Sequence, residues 1–259
     1  MRTALVTGGT SGIGLAFARA LAARGHHLVL VARDADRLEE IAAGLRTEVR
    51  SVEVLRADLA DRADVQLVVD RLSDPDRPID VLVNNAGFGV HWSLVSDELE
   101  TWDRAYEVMV RSVLVLAGAA ARAMKPRGFG TIINVSSVAG YITMGAYSSI
   151  KAWVTSYSES LSNELKGTGI TVTALLPGWV RTEFHGRARI KSSSIPSALW
   201  LDSEPLVDAC LRDVDRGRVL SIPTIRFQVL TWLLRHLPRK LVRSVSRAIS
   251  SSRRDSLNQ

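Results

Sequence analysis

Short β-branched runs that alternate strictly with stretches of helical period constrain this chain more than any other feature. The runs are Ala4 to Thr7, Leu28 to Ala32, Ser51 to Arg56, Ile79 to Asn84, Thr131 to Ser136 and Ile170 to Leu176. Between them lie helical candidates at Gly12 to Arg24, Asp34 to Val49, Asp61 to Leu72, Trp102 to Met124 and Ala146 to Lys166. Each is long enough for a right-handed crossover. Parallel strands can be joined only by such crossovers, so the order predicts an α/β fold with a parallel, doubly wound sheet. A helix at Ser203 to Asp215 and a seventh strand at Arg218 to Ile222 would close it. Glu183 to Asp202, with its run of serines, interrupts the alternation and reads as a mobile lid over substrate. The expected organisation is one domain over 1–223, with the insertion at 183–202, followed by a tail over 224–259.

Apolar residues make up 46% and charged residues 23%, the balance of an ordinary globular protein. The net charge of +6 invites a nucleic-acid reading, but its distribution opposes it. Ten basic residues and no acid lie between Arg216 and Arg254, which leaves residues 1 to 215 at −3. The tail carries Phe227, Leu230, Leu233, Leu234, Leu237, Leu241, Val242, Val245 and Ile249 among those cations, interrupted by Pro238. An apolar stripe beside positive charge suits either packing on protein or the surface of an anionic membrane, not base stacking. A lone cysteine, Cys210, no stretch of about 18 apolar residues, and Met1-Arg2 leading directly into a strand set a cytoplasmic expectation, with peripheral contact at the inner face of a membrane as an option. No metal ligand set is expected.

The first strand ends in Thr7-Gly8-Gly9-Thr10-Ser11-Gly12-Ile13-Gly14 and enters a helix. A glycine cluster can be no more than a flexible turn, but after a first strand it is the context in which a dinucleotide pyrophosphate meets a helix N-terminus. Asn84-Asn85-Ala86-Gly87 ends the fourth strand and Ser136-Ser137 the fifth. Tyr147-Ser148-Ser149-Ile150-Lys151 opens the next helix, and Pro177-Gly178-Trp179-Val180-Arg181-Thr182 follows the sixth strand. Tyr147 and Lys151, four apart, share a helix face. There the ammonium is expected to favour the phenolate and lower its pKa, although such a pair is often an ordinary helix face.

With three residues between Gly8 and Gly12, and five motifs in order over about 220 of 259 residues, the chain resembles the classical short-chain dehydrogenase/reductase family, a Rossmann-type fold. The resemblance implies an oxidoreductase that interconverts a carbonyl and an alcohol. Ser137 would bond the substrate oxygen, Tyr147 would be the acid/base, and Lys151 would also hold the nicotinamide ribose. Gly8, Thr10, Ser11, Gly12, Ile13 and Gly14 would cradle the pyrophosphate. Asp58 with Leu59 would meet the adenine, Asn85 with Ala86 and Gly87 the adenosine side, and Val180 with Thr182 the carboxamide. It also implies a homodimer or homotetramer paired through the helices at Trp102 to Met124 and Ala146 to Lys166.

The second strand ends Val31-Ala32-Arg33-Asp34, with no acid at position 32 to bind two ribose hydroxyls. Arg33 suits the 2′-phosphate of NADP(H), unless it only starts a solvated helix and Asp34 serves a ribose. Two departures from the family stand out. Arg111 falls where a helix asparagine is expected, and Ser137 lies ten residues before Tyr147 where the family usually has thirteen. Phe88, Val90, Trp92, Tyr141, Met144, Trp179, Phe184 and Trp200 follow strand ends and predict an apolar pocket for a hydrophobic ketone, sterol-like or acyl substrate. The alternative to an enzyme is a non-catalytic NADP(H)-binding sensor or scaffold.

Overall fold

A computed structural model of the chain describes residues 2–47, 51–90, 93–182, 199–244 and 246–247. Seven parallel strands form one sheet in the order β3-β2-β1-β4-β5-β6-β9. They are β1 (Thr3–Thr7), β2 (His27–Ala32), β3 (Val52–Arg56), β4 (Val81–Asn84), β5 (Gly130–Val135), β6 (Ile170–Leu175) and β9 (Leu220–Ser221). Two more, β7 (Trp179–Val180) and β8 (Trp200–Leu201), form a separate two-stranded parallel ladder. Among the described residues the helices are α1 (Gly12–Ala23), α2 (Ala35–Leu45), α3 (Arg62–Ser73), α4 (Glu100–Tyr106), α5 (Ser112–Met124), α6 (Gly145–Glu164), α7 (Ser203–Asp215) and α8 (Ile225–His236), and 239–244 is helical as well.

The sheet separates two apolar layers because alternate strand residues point to opposite faces. Leu5, Val29 and Val31 face the layer of α3, α5 and α6, whereas Ala4, Val6, Leu28 and Leu30 face that of α1, α2 and α7. Phe17, Leu38 and Leu206 are among the side chains that seal the second layer. Carboxylates start two of the crossover helices, with Asp34 accepting from Arg37 N at 3.0 Å and Asp61 from Ala63 N at 2.7 Å. A buried polar relay ties the sheet centre to α6. Asn84 Nδ2 donates to Asn134 Oδ1 at 2.9 Å, and Asn134 Nδ2 to Ser158 Oγ at 3.0 Å.

Several expected elements come out differently. The closing strand is two residues long rather than five, and α2 ends at Leu45 rather than Val49. Of the expected insertion, 183–198 lies outside the described residues, while Trp200 and Leu201 pair with Trp179 and Val180. The long helix from Trp102 is split by a π turn over Glu107–Arg111. Its wide bond runs from Ser112 N–H to the Glu107 carbonyl, five residues back. The Val108 carbonyl, which would take that N–H in an α-helix, instead accepts the Ser112 hydroxyl at 2.6 Å. One serine thereby satisfies both carbonyls, and the irregular turn leaves neither of them orphaned.

The tail packs on its own domain. Phe227 lies against Gly178 so closely that a Cβ there would sit 2.1 Å from its ring. The same ring is 5.9 Å from that of Trp179. The Arg235 guanidinium stands 5.8 Å from the Tyr141 ring centre, and Ser246 Oγ accepts from Thr143 N at 3.1 Å. Val245 and Ile249 lie outside the described residues.

Candidate active site

The ends of β1 and β4, neighbours from which the strand order runs in opposite directions, open the crevice where ligands sit in such sheets. Thr7 fastens the two. Its Oγ1 donates to the Val83 carbonyl at 3.3 Å and accepts from Asn85 N at 3.0 Å and Ala86 N at 3.1 Å. Asn85 Nδ2 in turn donates to the carbonyls of Thr7 at 3.0 Å and Gly8 at 3.3 Å. Its side chain thus braces the glycine loop. Gly8 and Gly12 have φ of 66° and 52°, the left-handed region. A Cβ at Gly14 would meet the Gly8 carbonyl oxygen at 2.1 Å, and one at Gly12 would meet Thr182 at 3.0 Å. The bare backbone therefore lets the loop fold onto the start of α1 and brings Thr182 over it. The first turn of α1 carries no acid, and its N-cap Ser11 makes no side-chain cap bond.

The two serines after β5 divide their work. Ser136 Oγ donates to the Lys151 carbonyl at 2.7 Å and lies 2.7 Å from Thr155 Oγ1, which ties α6 to the sheet. Ser137 Oγ accepts from Ala139 N at 3.1 Å and has a distant acceptor in the Pro177 carbonyl at 3.4 Å. The short connection from Ser137 to Tyr147 is taken up by a 3-10 turn over Val138–Tyr141 that lies on α6. A Cβ at Gly140 would approach Ala152 N to 2.9 Å.

The expected depression of the tyrosine pKa is not observed. Burial pushes the Tyr147 hydroxyl up to about 12, against the opposing pull of the Ser137 hydroxyl. Lys151 does not reverse this, because its Nζ donates to the Val135 carbonyl at 2.8 Å and stands 5.6 Å from the Tyr147 ring centre. Burial instead drives the lysine down from 10.5 to about 8. The folded chain therefore holds that proton less tightly than the unfolded chain, and stability rises with pH from about 8 upward. Between pH 8 and 9 the gain should be about 1 kcal/mol in urea titrations, and it should vanish in Lys151→Met. Above pH 9 the buried Cys210 thiol, pushed from 9.0 up to about 12, works in the opposite direction.

At the far end of the crevice Arg33 is exposed and its charge helps lower the pKa of Asp58. Asp58 Oδ2 also accepts from Arg104 at 2.8 Å, a partner that the motifs did not reveal. Leu59 is buried beneath it. Asp34 is committed to capping α2. Arg111 is drawn to Glu107 Oε2 at 3.7 Å, with Glu107 held in turn by Arg62 at 2.7 Å. The side chain of the π turn that reaches the Asn85–Gly87 loop is Met109, whose Sδ lies 3.1 Å from a Cβ built on Gly87. Methionine has no signal that sequence pattern would single out. Val90 is buried and Phe88, Tyr141, Met144, Trp179 and Trp200 are half-buried, whereas Trp92 and Phe184 lie outside the described residues.

Comparisons with known proteins agree with this arrangement. The model of the short chain dehydrogenase family matches residues 2–192. A Streptomyces virginiae protein named as a ketoacyl reductase of the monensin polyketide synthase is 43% identical, over 73% of this chain and 74% of its own. A short-chain dehydrogenase from Sphingobium yanoikuyae, solved with NADPH, superposes with a TM-score of 0.82 at 38% identity, covering 92% of this chain and 97% of its own. The bulky-bulky ketone specific alcohol dehydrogenase from Comamonas testosteroni gives 0.78 at 32% identity, covering 100% of this chain and 94% of its own. With that family match across most of its length, and with the glycine loop, serine, tyrosine and lysine gathered at one crevice, the chain belongs to the short-chain dehydrogenase family of oxidoreductases.

Proposed function

We propose that the chain moves hydride between NADP(H) and a hydrophobic carbonyl or alcohol, with Ser137, Tyr147 and Lys151 as its catalytic residues. The observation that carries this reading is the convergence of the three at the end of β5 and the start of α6, where Ser137 Oγ is fixed by Ala139 N–H and Lys151 Nζ, bonded to the Val135 carbonyl at 2.8 Å, stands 5.6 Å from the Tyr147 ring centre. The cradle fits a dinucleotide because its close approaches at Gly8, Gly12 and Gly14 leave backbone, not side chains, facing the anion site at α1. When bound, the cofactor supplies or accepts the hydride. Ser137 Oγ, fixed by Ala139 N–H, bonds the substrate oxygen in place of its distant contact with Pro177. Tyr147 gives its proton to that oxygen during reduction. An ammonium has three donors, and with one on Val135 the Lys151 Nζ can hold the nicotinamide ribose with another. The π turn sets Met109 as the inner wall, and Arg111 takes no part in the chemistry.

NADP(H) is preferred over NAD(H) because Arg33 and Arg104 both border Asp58 at the adenosine end, while Asp34 is occupied as a cap. Arg33→Ser should raise the KM for NADPH more than about tenfold and change that for NADH far less, which steady-state kinetics with both cofactors would show. A bulky ketone or ketoacyl substrate is supported by the apolar side chains around the crevice and by what the Comamonas and Streptomyces proteins are named for. Pairing through α5 and α6 is supported by Leu114, 48% exposed, beside the stacked rings of Trp153 and Tyr157. The test is NADPH consumption against ketones and ketoacyl thioesters of increasing bulk. Turnover that improves with bulk is the expected result, and tight NADPH binding without turnover on any of them would point to a sensor instead.

A further inference from the structure

Seven of the fourteen large hydrophobic side chains exposed among the described residues fall between Ile225 and Leu241. The helix α8 buries only a narrow stripe of Phe227, Thr231 and Leu234 against the domain. A surface helix with such a stripe is ordinarily polar on the far side. Here the opposite face carries Ile225, Val229 and Trp232, which are 77%, 53% and 59% exposed. Past Pro238 the pattern repeats, with Val242 and Ser246 buried, Leu241 51% exposed, and Arg239, Lys240 and Arg243 exposed around it.

Charge decides what fits this face. No acid occurs between Arg216 and Arg254, where ten basic residues lie. A two-fold contact with a second copy would set the same cations against each other. A surface that is apolar below and negative at its boundary matches both components at once. We propose that α8 and the helical segment over 239–244 after it dock the protein on an anionic lipid surface. Ile225, Val229 and Trp232 enter the interface, and Arg239, Lys240 and Arg243 meet the headgroups. The contact is with one leaflet, since no helix among the described residues is long and apolar enough to cross a membrane. Because the same segment holds Tyr141, Thr143 and Trp179 through Arg235, Ser246 and Phe227, docking sets the rim of the catalytic crevice beside the bilayer.

The full chain should float with vesicles rich in phosphatidylglycerol at low salt and not with vesicles of phosphatidylcholine alone. Val229→Asp with Trp232→Asp, and separately Arg239→Glu with Lys240→Glu, should each weaken partition more than about tenfold. Both pairs are exposed, so circular dichroism of the variants should match that of the wild type; the charge pair carries the test should the apolar pair misfold. Wild-type protein left unbound by the anionic vesicles, or equal flotation of folded variants, would overturn the proposal. So would a wild-type dimer that both double variants dissociate, which would assign the face to a second copy.

Discussion

Tyr147→Phe should lower kcat for carbonyl reduction by about 10² to 10⁴, the range a positioned general acid contributes, while the Kd for NADPH changes little. The ring remains and only the hydroxyl is lost, so packing against the layer of α3, α5 and α6 is retained. Ser137 keeps the Ala139 N–H, and the stability cost should stay within about 1 kcal/mol. Stopped-flow reduction, with binding followed by quenching of protein fluorescence, separates the two effects. Because burial holds the wild-type hydroxyl near 12, reduction should not lose its acid anywhere in the neutral range. Alcohol oxidation needs the phenolate and should keep rising with pH. Unchanged kcat in the variant would remove Tyr147 from the chemistry.

Gly14→Ala is the second large effect. Its Cβ would stand 2.1 Å from the Gly8 carbonyl oxygen and 2.4 Å from Asn85 Nδ2. The first of these is backbone and cannot swing aside, so the loop must part from α1. Overpacking of this kind costs about 1–3 kcal/mol, and the displaced cradle should weaken NADPH binding about a hundredfold or more. Gly25→Ala is the control. Gly25, unlike Gly14, has positive φ, 79°, but nothing lies within 4 Å of its Cβ. It should cost only the 1–2 kcal/mol of backbone strain and leave the cofactor Kd unchanged. Thermal unfolding with and without NADPH distinguishes the two. Equal ligand-induced stabilisation of Gly14→Ala and wild type would show that the loop is not the cofactor site.

The sheet was legible in the sequence because strands buried on both faces are largely apolar runs, and β1, β4 and β5 run into Gly8, Asn84-Asn85 and Ser136-Ser137. Six strands and the crossover helices follow from that pattern. What it missed depends on hydrogen bonding and on distant partners. The π turn leaves Val108, Met109 and Val110 buried as a regular helix would, so periodicity registers nothing. Arg111, chosen by its place in that run, stands 3.7 Å from Glu107 Oε2, a contact that the pattern does not show. Asp58 and Arg104 are 46 residues apart. The choice of Ser137 over Ser136 rested on order alone, and its physical ground is that Ser136 is already bonded to α6. The tail is apolar on two sides, so its pattern alone could not indicate which stripe faces the domain.

The π turn also bears on how this helix tolerates change in length. It spends one residue more than an α turn over the same span, and each residue turns a helix by about 100°. The stretch Glu107–Arg111 is therefore a phase joint between α4 and α5. A one-residue deletion inside it would leave α5 a regular continuation of α4, with every hydrogen bond available. It would also carry Met109 away from Gly87, while the α5 face keeps its orientation relative to α4. An insertion or deletion elsewhere in either helix has no such slack to absorb it, so gaps among relatives should gather at this joint.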